Sequence, residues 1–240
     1  MYVVGYPKSG NTWLAYLLAY CLNSEFDDFD DPQVHPKDPY QRLYVKGGLP
    51  HKSYQAVFGR ILKTHKLTLP NETAQKTVYL VRDGRDVMVS YFFYKKYVAQ
   101  HRQLNLKTSL RKLLKRRNDG EFCRFLRNHV PEWNFHVTTW IEKEPDVIVK
   151  YEHLKENTVF ALSDIFSQIG IEVSLVIIEK AVQLFSFGKL AKRQPGQENR
   201  RSFFRKGVVG DWTNHFSPED LRYFANEAKR TFSLIGYTLE

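Results

Sequence analysis

The sequence predicts an α/β fold, one domain over residues 1–240 with a central, mostly parallel sheet flanked by helices. Three observations predict it. Short apolar, β-branched runs at Tyr2–Val4, Thr77–Arg82 and Asp146–Lys150 are interleaved with stretches of helical periodicity. Two of these runs pass through a tight turn directly into a helix, at Gly5–Gly10 and at Asp83–Asp86. The length, 240 residues, suits one such domain with a substantial core, and no compositional break forces a second.

The first element is a buried strand, Tyr2–Val4. The loop that follows holds Gly5, Pro7, Lys8, Ser9 and Gly10, and the next helix places Trp13, Leu14, Leu17, Leu18 and Cys21 at helical spacing. Such a loop gathers backbone N–H groups at a helix N-terminus, which is a phosphate site. Against the nucleotide-triphosphatase P-loop pattern, Gly5 and Gly10 have the right spacing and Thr12 stands where Ser or Thr belongs. The Lys position, however, holds Asn11, and the lysine lies three residues earlier, at Lys8. The cradle is kept and its cation is moved, which argues against ordinary ATP hydrolysis.

The charge balance, +10 at pH 7, favours anionic partners. The two cysteines, Cys21 and Cys123, are expected as thiols in a reducing compartment, with Cys21 buried on the first helix. No Cys or His spacing suits a metal, and none is expected. The apolar run Trp13–Leu22 is too short to span a membrane and lacks a basic leader, so a cytoplasmic protein with no stable membrane insertion is expected.

Residues 23–59 read as irregular and carry an acidic cluster, Glu25, Asp27, Asp28, Asp30, Asp31 and Asp38. Two readings stay open: a solvated loop, or a loop over an acceptor pocket that attracts a cationic substrate. Arg60–His65 is a short strand whose polar end, Lys63, Thr64 and His65, lies where open α/β sheets bind ligands. The strand Thr77–Arg82 leads through Asp83-Gly-Arg-Asp86 into a helix with Val87, Met88, Ser90 and Tyr91, where Arg82 and Ser90 could grip a phosphate.

Residues 102–117 form a basic helix face, read as solvated or as a contact for an acidic surface; no zinc-finger or RNP-type pattern supports nucleic acid. A helix is expected after Pro131, then a strand ending at Tyr151-Glu152, then helices carrying Leu162, Ile165 and Phe166, and opening at Ser174. Residues 186–210 are basic and suggest a lid over an anion. Ser217-Pro-Glu-Asp220 is a strong helix start.

Three segments together resemble the sulfotransferase family that uses 3′-phosphoadenylyl sulfate (PAPS): Tyr6-Pro-Lys-Ser-Gly-Asn-Thr-Trp13, Val81-Arg-Asp-Gly-Arg-Asp-Val-Met-Val-Ser-Tyr91 and Arg205-Lys-Gly-Val-Val-Gly-Asp-Trp212. Lys63-Thr-His65 and Tyr151-Glu152 fall in register with them, and the similarity runs through almost the whole chain. The resemblance implies a fold like that of P-loop kinases and a PAPS cosubstrate, with adenosine 3′,5′-bisphosphate (PAP) as product and no metal. It implies that Lys8, Ser9, Gly10, Asn11 and Thr12 hold the 5′-phosphosulfate, with Trp13, Tyr151, Ser186 and Phe187 about the adenine. Arg82, Ser90, Arg205, Lys206 and Gly207 would grip the 3′-phosphate. His65 would be the catalytic base, with Lys8 and Lys63 stabilising charge on the transferring group.

The implied reaction is sulfuryl transfer to a hydroxyl or amine of a small-molecule acceptor. A cationic secondary metabolite is one reading of the acidic cluster, and sugar and lipid acceptors are others. Asn11 departs from the Thr common in relatives. The longer N-terminal segment and the dimer motif of animal and plant cytosolic relatives are not recognisable, so their dimerisation is not carried over. The rival readings are a P-loop nucleotide kinase or hydrolase, which Asn11 disfavours, and a basic protein that binds nucleic acid or membrane.

Overall fold

The computed structural model describes residues 1–30, 58–69, 76–103, 120–200 and 202–239. The acids at Asp31 and Asp38 and the basic stretch 104–117 lie outside them. The chain divides into two compact units, Met1–Arg82 with His136–Lys192, and Asp83–Phe135 with Arg193–Glu240.

The first unit is built on five parallel strands, β1 (Tyr2–Val4), β2 (Glu25–Asp28), β3 (Arg60–Thr64), β4 (Thr77–Val81) and β5 (Val147–Lys150), in the order β2-β3-β1-β4-β5. β1 lies in the middle, flanked by β3 and β4, and all its residues are buried. This suits a parallel sheet covered on both faces, whose strands read as continuous apolar runs. The central position of β1 sets the loop after it, Gly5–Gly10, at the carboxyl end of the sheet, between the ends of its two neighbours.

The strand β2 corrects the expectation that residues 23–59 are irregular. Its sequence, Glu-Phe-Asp-Asp, has one apolar residue and no strand signal of its own. It forms at the sheet edge because Phe26 packs into the core and its acids meet cations from β3. Glu25 and Asp27 both pair with Arg60 at 3.3 Å, and Asp28 grips Lys63 with both oxygens at 3.0 Å.

The helix α1 (Asn11–Cys21) is buried from Leu14 to Cys21 on all its faces. The apolar run is therefore the core helix of the unit, packed with Ile61, Val78, Leu80, Phe166 and Ile178. Fully burying a leucine contributes about 1.5–3 kcal/mol, so this helix anchors the loop before it. No helix among the described residues is long and apolar enough to cross a membrane. The helices α4 (Tyr151–Glu156), α5 (Thr158–Gln168), α6 (Leu175–Leu184) and α7 (Phe187–Ala191), which follow the long α3 (Glu121–Glu142), complete this unit.

The second unit opens with α2 (Gly84–Gln103) and ends with α8 (Pro218–Ile235). The cap predicted for α8 is present in full: the Ser217 hydroxyl accepts from the Asp220 N–H at 3.1 Å, and the Asp220 carboxylate accepts from the Ser217 N–H at 3.1 Å. α3 corrects a second expectation. It begins ten residues before Pro131 and continues through it. Tertiary burial of Leu126, Val130 and Trp133 outweighs the backbone bond that proline cannot make. Gly84 fits beneath this packing because a Cβ there would stand 2.8 Å from both Trp133 and Phe224.

Candidate active site

The loop after β1 turns on two left-handed residues, Lys8 at φ 72° and Gly10 at φ 108°. A side chain at Gly10 would also collide with Tyr151, whose ring lies 2.7 Å from the position of its Cβ. Gly10 is the N-cap of α1, and the helix has neither a side-chain cap nor an acid in its first turn. The N–H groups of Asn11 and Thr12 find no acceptor among the described residues. They form the positive end of a buried helix, open to an anion.

Several predicted residues converge on this cradle. Arg82, buried at the end of β4, lays its guanidinium over the Tyr151 ring at 4.3 Å and donates to the Lys8 carbonyl at 3.3 Å. Trp13 meets Tyr151 edge-on at 6.1 Å and donates its indole N–H to the Phe185 carbonyl at 2.9 Å. That bond ties the turn carrying Ser186 and Phe187 to the first helix. Ser186 itself donates to the Gln183 carbonyl at 3.2 Å. Ser9 is buried within the loop.

Lys155 belongs to the same neighbourhood and was not foreseen. Its ammonium lies 5.6 Å from the Trp13 ring centroid and has no carboxylate partner among the described residues. Burial, and then the charge of Arg82, lower its pKa. Its sequence context, one lysine on a short helix, reads as a solvated face; only the fold brings it to Trp13.

His65 follows β3 and is held on every side. Its backbone N–H donates to Asp30 at 2.7 Å, and its carbonyl accepts from the His136 ring at 3.0 Å. The next carbonyl, of Lys66, accepts from Trp140 at 3.2 Å. Its Nδ1 lies 2.6 Å from the Gly5 carbonyl. Burial, then the charge of Lys63, with smaller contributions from His136 and Lys8, push its pKa well below the usual 6.5, while the bond to Gly5 opposes them. The imidazole is thus neutral at neutral pH, as a proton acceptor must be.

The His136 ring is committed on both sides. Its Nε2–H serves the His65 carbonyl, so Nδ1 accepts from the Tyr79 hydroxyl at 3.1 Å. Burial holds its pKa at about 4.

Two predicted residues have other immediate partners. Asn11 is one of the loop residues that the resemblance assigns to the phosphosulfate. Its side chain is buried, donates to the Gly5 carbonyl at 2.7 Å and lies 3.1 Å from His65 Nδ1. Lys63 is buried in a carboxylate clamp, with Asp28 at 3.0 Å and Asp30 at 3.8 Å. These contacts account for the described members of the acidic cluster: Glu25, Asp27, Asp28 and Asp30 are all engaged within the chain.

Ser90 and Arg205–Gly207 belong to the second unit. Ser90 lies on α2 and is partly buried. Arg205 and Lys206 both bind Asp211, and Arg205 also pairs with Glu198 at 2.5 Å. Burial works against ionisation of Asp211, but Lys206 and Arg205 hold its carboxyl down to about 2. The segment expected as a lid is folded back on itself, with the Gly196 N–H donating to the Lys206 carbonyl at 2.9 Å and the Asn199 N–H to that of Arg205 at 2.9 Å. Cys21 is buried and its thiol is pushed up to about 12, so it is inert.

The comparisons with known proteins agree with one another. The family described as Sulfotransferase domain matches residues 1–236. Sulfotransferase 1B1 of Mus musculus is 29% identical, over 99% of this chain and 83% of its own length. Sulfotransferase 1E1 of Bos taurus is 28% identical over 90% of this chain and 77% of its own. Flavonol 3-sulfotransferase of Flaveria bidentis is 27% identical over 91% and 77%. Among solved structures, mouse sulfotransferase SULT7A1 complexed with PAP aligns over 98% of this chain and 88% of its own, with a TM-score of 0.67 and 24% identity, a likeness that establishes the fold. With the family match spanning nearly its full length, the chain belongs to the sulfotransferase family.

Proposed function

We propose that this chain moves a sulfuryl group from PAPS to a hydroxyl or amine of a small-molecule acceptor, with His65 as general base. The acceptor atom attacks sulfur and its proton passes to His65; the bond from sulfur to the 5′-phosphate oxygen breaks, and PAP leaves. The observation that carries this reading is the joining of base and anion cradle at one loop: Nδ1 of a neutral His65 lies 2.6 Å from the carbonyl of Gly5, six residues before Asn11, the uncapped start of α1. The PAP complex of the mouse structural neighbour supports the choice of nucleotide.

Within that reading each residue has a physical task. The N–H groups of Asn11 and Thr12 and the Lys8 side chain neutralise the phosphosulfate, as positioning and electrostatic stabilisation require. Arg82 offers its guanidinium to the 3′-phosphate, and Lys155 adds positive potential beside it. Trp13 and Tyr151 provide aromatic surface for the adenine. Lys63 acts from within the Asp28–Asp30 clamp, holding the end of β3, and hence His65, in place. The engagement of Glu25, Asp27, Asp28 and Asp30 with internal partners removes their support for a cationic acceptor, and a neutral hydroxyl compound is the simpler reading.

The test is His65→Ala. Turnover with PAPS and a panel of phenols, alcohols and amines, read as PAP release and product mass, should fall by about 10²–10⁴-fold, the usual worth of a general base. PAP affinity measured by calorimetry should stay nearly constant. Undiminished turnover in this variant would remove His65 from the chemistry.

A further inference from the structure

We propose that Asn11 is a positioning residue for His65: its side-chain amide fixes the Gly5 carbonyl that takes the Nδ1 proton, leaving Nε2 as the nitrogen that accepts the proton of the substrate. The inference rests on His65 being the base and adds a residue that the phosphate-loop pattern would assign to the nucleotide.

The geometry is a triangle about one oxygen. Asn11 Nδ2 lies 2.7 Å and His65 Nδ1 2.6 Å from the Gly5 carbonyl oxygen, and the two nitrogens lie 3.1 Å apart. Were Nδ1 unprotonated, its lone pair would face the lone pairs of the Gly5 oxygen at 2.6 Å, a repulsive contact. With Nδ1 protonated, the oxygen accepts one hydrogen bond from each nitrogen, which is the full capacity of a carbonyl. The same argument orients the Asn11 amide, since its carbonyl end in place of Nδ2 would oppose oxygen to oxygen. Gly5 is past the end of β1, so this oxygen is outside the strand ladder, and Asn11 holds it in place. Asn11 is 2% exposed, so water does not compete for its bond to the Gly5 carbonyl.

A side chain at Gly5 would break the arrangement: its Cβ would lie 2.5 Å from Asn11 Oδ1 and 2.4 Å from the Leu80 carbonyl. Glycine at 5 and asparagine at 11 are thus one structural unit. Threonine at 11 is shorter and carries no amide donor to offer the Gly5 carbonyl. The charged and titratable groups around the ring are Lys8 on the loop, Lys63 on β3, His136 on α3 and Asp30 beyond β2. None of these reaches Nδ1 by a hydrogen bond among the described contacts, which leaves Gly5 and Asn11 to set the tautomer.

The first test reads the unaltered site. In the full chain labelled with ¹⁵N-histidine, two-bond ¹⁵N–¹H correlation at pH 7.5, with the His65 signals assigned by loss in His65→Gln, reads the tautomer directly. A ring protonated at Nδ1 is expected, and one protonated at Nε2 overturns the proposal. The second test is kinetic. In Asn11→Ala and Asn11→Thr, kcat should fall on the order of 10-fold, a fraction of a general base's worth, with KM for PAPS nearly unchanged. The acidic limb of the kcat profile should also move to higher pH, because a Gly5 carbonyl with one donor left accepts more strongly from the imidazolium. An unmoved limb with a large rise in KM for PAPS would assign Asn11 to the nucleotide and overturn the proposal. If instead His65→Ala retained full turnover, the base assignment itself would fall, while the tautomer measurement would still judge the triangle.

Discussion

The chain has two strand-to-helix junctions of similar outline, and they are finished in opposite ways. At the first, α1 begins on a left-handed glycine with no cap, no acid in its first turn and no acceptor for the Asn11 and Thr12 N–H groups among the described residues. At the second, α2 starts among its own carboxylates. Asp83 accepts from the Arg85 backbone at 2.8 Å and grips its guanidinium at 2.8 and 3.1 Å, while Asp86 accepts from the backbones of Gly210 at 2.8 Å and Trp212 at 3.0 Å. Arg85 also donates to the Thr238 carbonyl at 3.0 Å and stacks over Trp212 at 4.1 Å. One junction leaves its helix start uncapped among the described residues and the other spends its start on the protein. The sequence assigns the grip at the second junction to the side chains of Arg82 and Ser90, and with the start of α2 engaged by Asp83 and Asp86 an anion there has side chains to meet, not a free helix start.

The comparison breaks most visibly at Asp86. Replacing it with alanine strips two partly buried N–H groups of a charged acceptor and should cost about 4 kcal/mol in urea unfolding, while PAP affinity of the folded fraction stays constant. A variant of normal stability would mean that the second junction is not structural.

Acid should separate the two regions next. His136 has its pKa depressed to about 4 in the folded state, against an unfolded value near 6.5. The unfolded chain therefore binds the extra proton first, and stability falls as pH drops from 6.5 to 4, by about 3 kcal/mol in total. Asp211, held at about 2, stays ionised across that window. Its contribution is present above the unfolded value of 3.8 and is lost only as pH falls towards 2. Amide exchange should show residues 136–150 losing protection between pH 6.5 and 4 while residues 205–220 keep theirs. Equal loss in both would erase the distinction.

Importing the second junction's solution into the first is a sharper probe with a slightly smaller effect. Thr12→Asp puts a carboxylate in the first turn of α1. PAP affinity should fall by about 100-fold, or about 2.8 kcal/mol, and the melting temperature should rise, since an acid at a helix N-terminus stabilises by about 0.3–1 kcal/mol. Retained affinity would show that the anion does not sit on this helix.

Much of this was legible in the sequence because its signals are local. The loop Gly5–Gly10, the β4 run with Arg82 behind it and the Ser217 cap each depend on residues within a few positions of one another. The strand β2 was not legible, because what stabilises Glu25–Asp28 is a set of cations 35 residues away on β3. The same holds for Lys155, whose neighbours Trp13 and Arg82 are distant in sequence, and for α3, where burial of Trp133 carries a helix through a proline. Asn11 was legible as a departure from the phosphate-loop pattern, but its use was not: its partners, Gly5 and His65, come together only when β1 and β3 pair.

The orienting acceptor for His65 is a main-chain oxygen, and that has an evolutionary consequence. In enzymes where a carboxylate side chain steadies the catalytic histidine, one codon change can delete it. Position 5 has a carbonyl whatever residue stands there, so point mutation removes not the atom but its placement: a side chain at Gly5 would meet Asn11 and the Leu80 carbonyl. What mutation can change is how firmly the oxygen is held, and the genetic fragility of the site is thereby shared between the codons for Gly5 and Asn11.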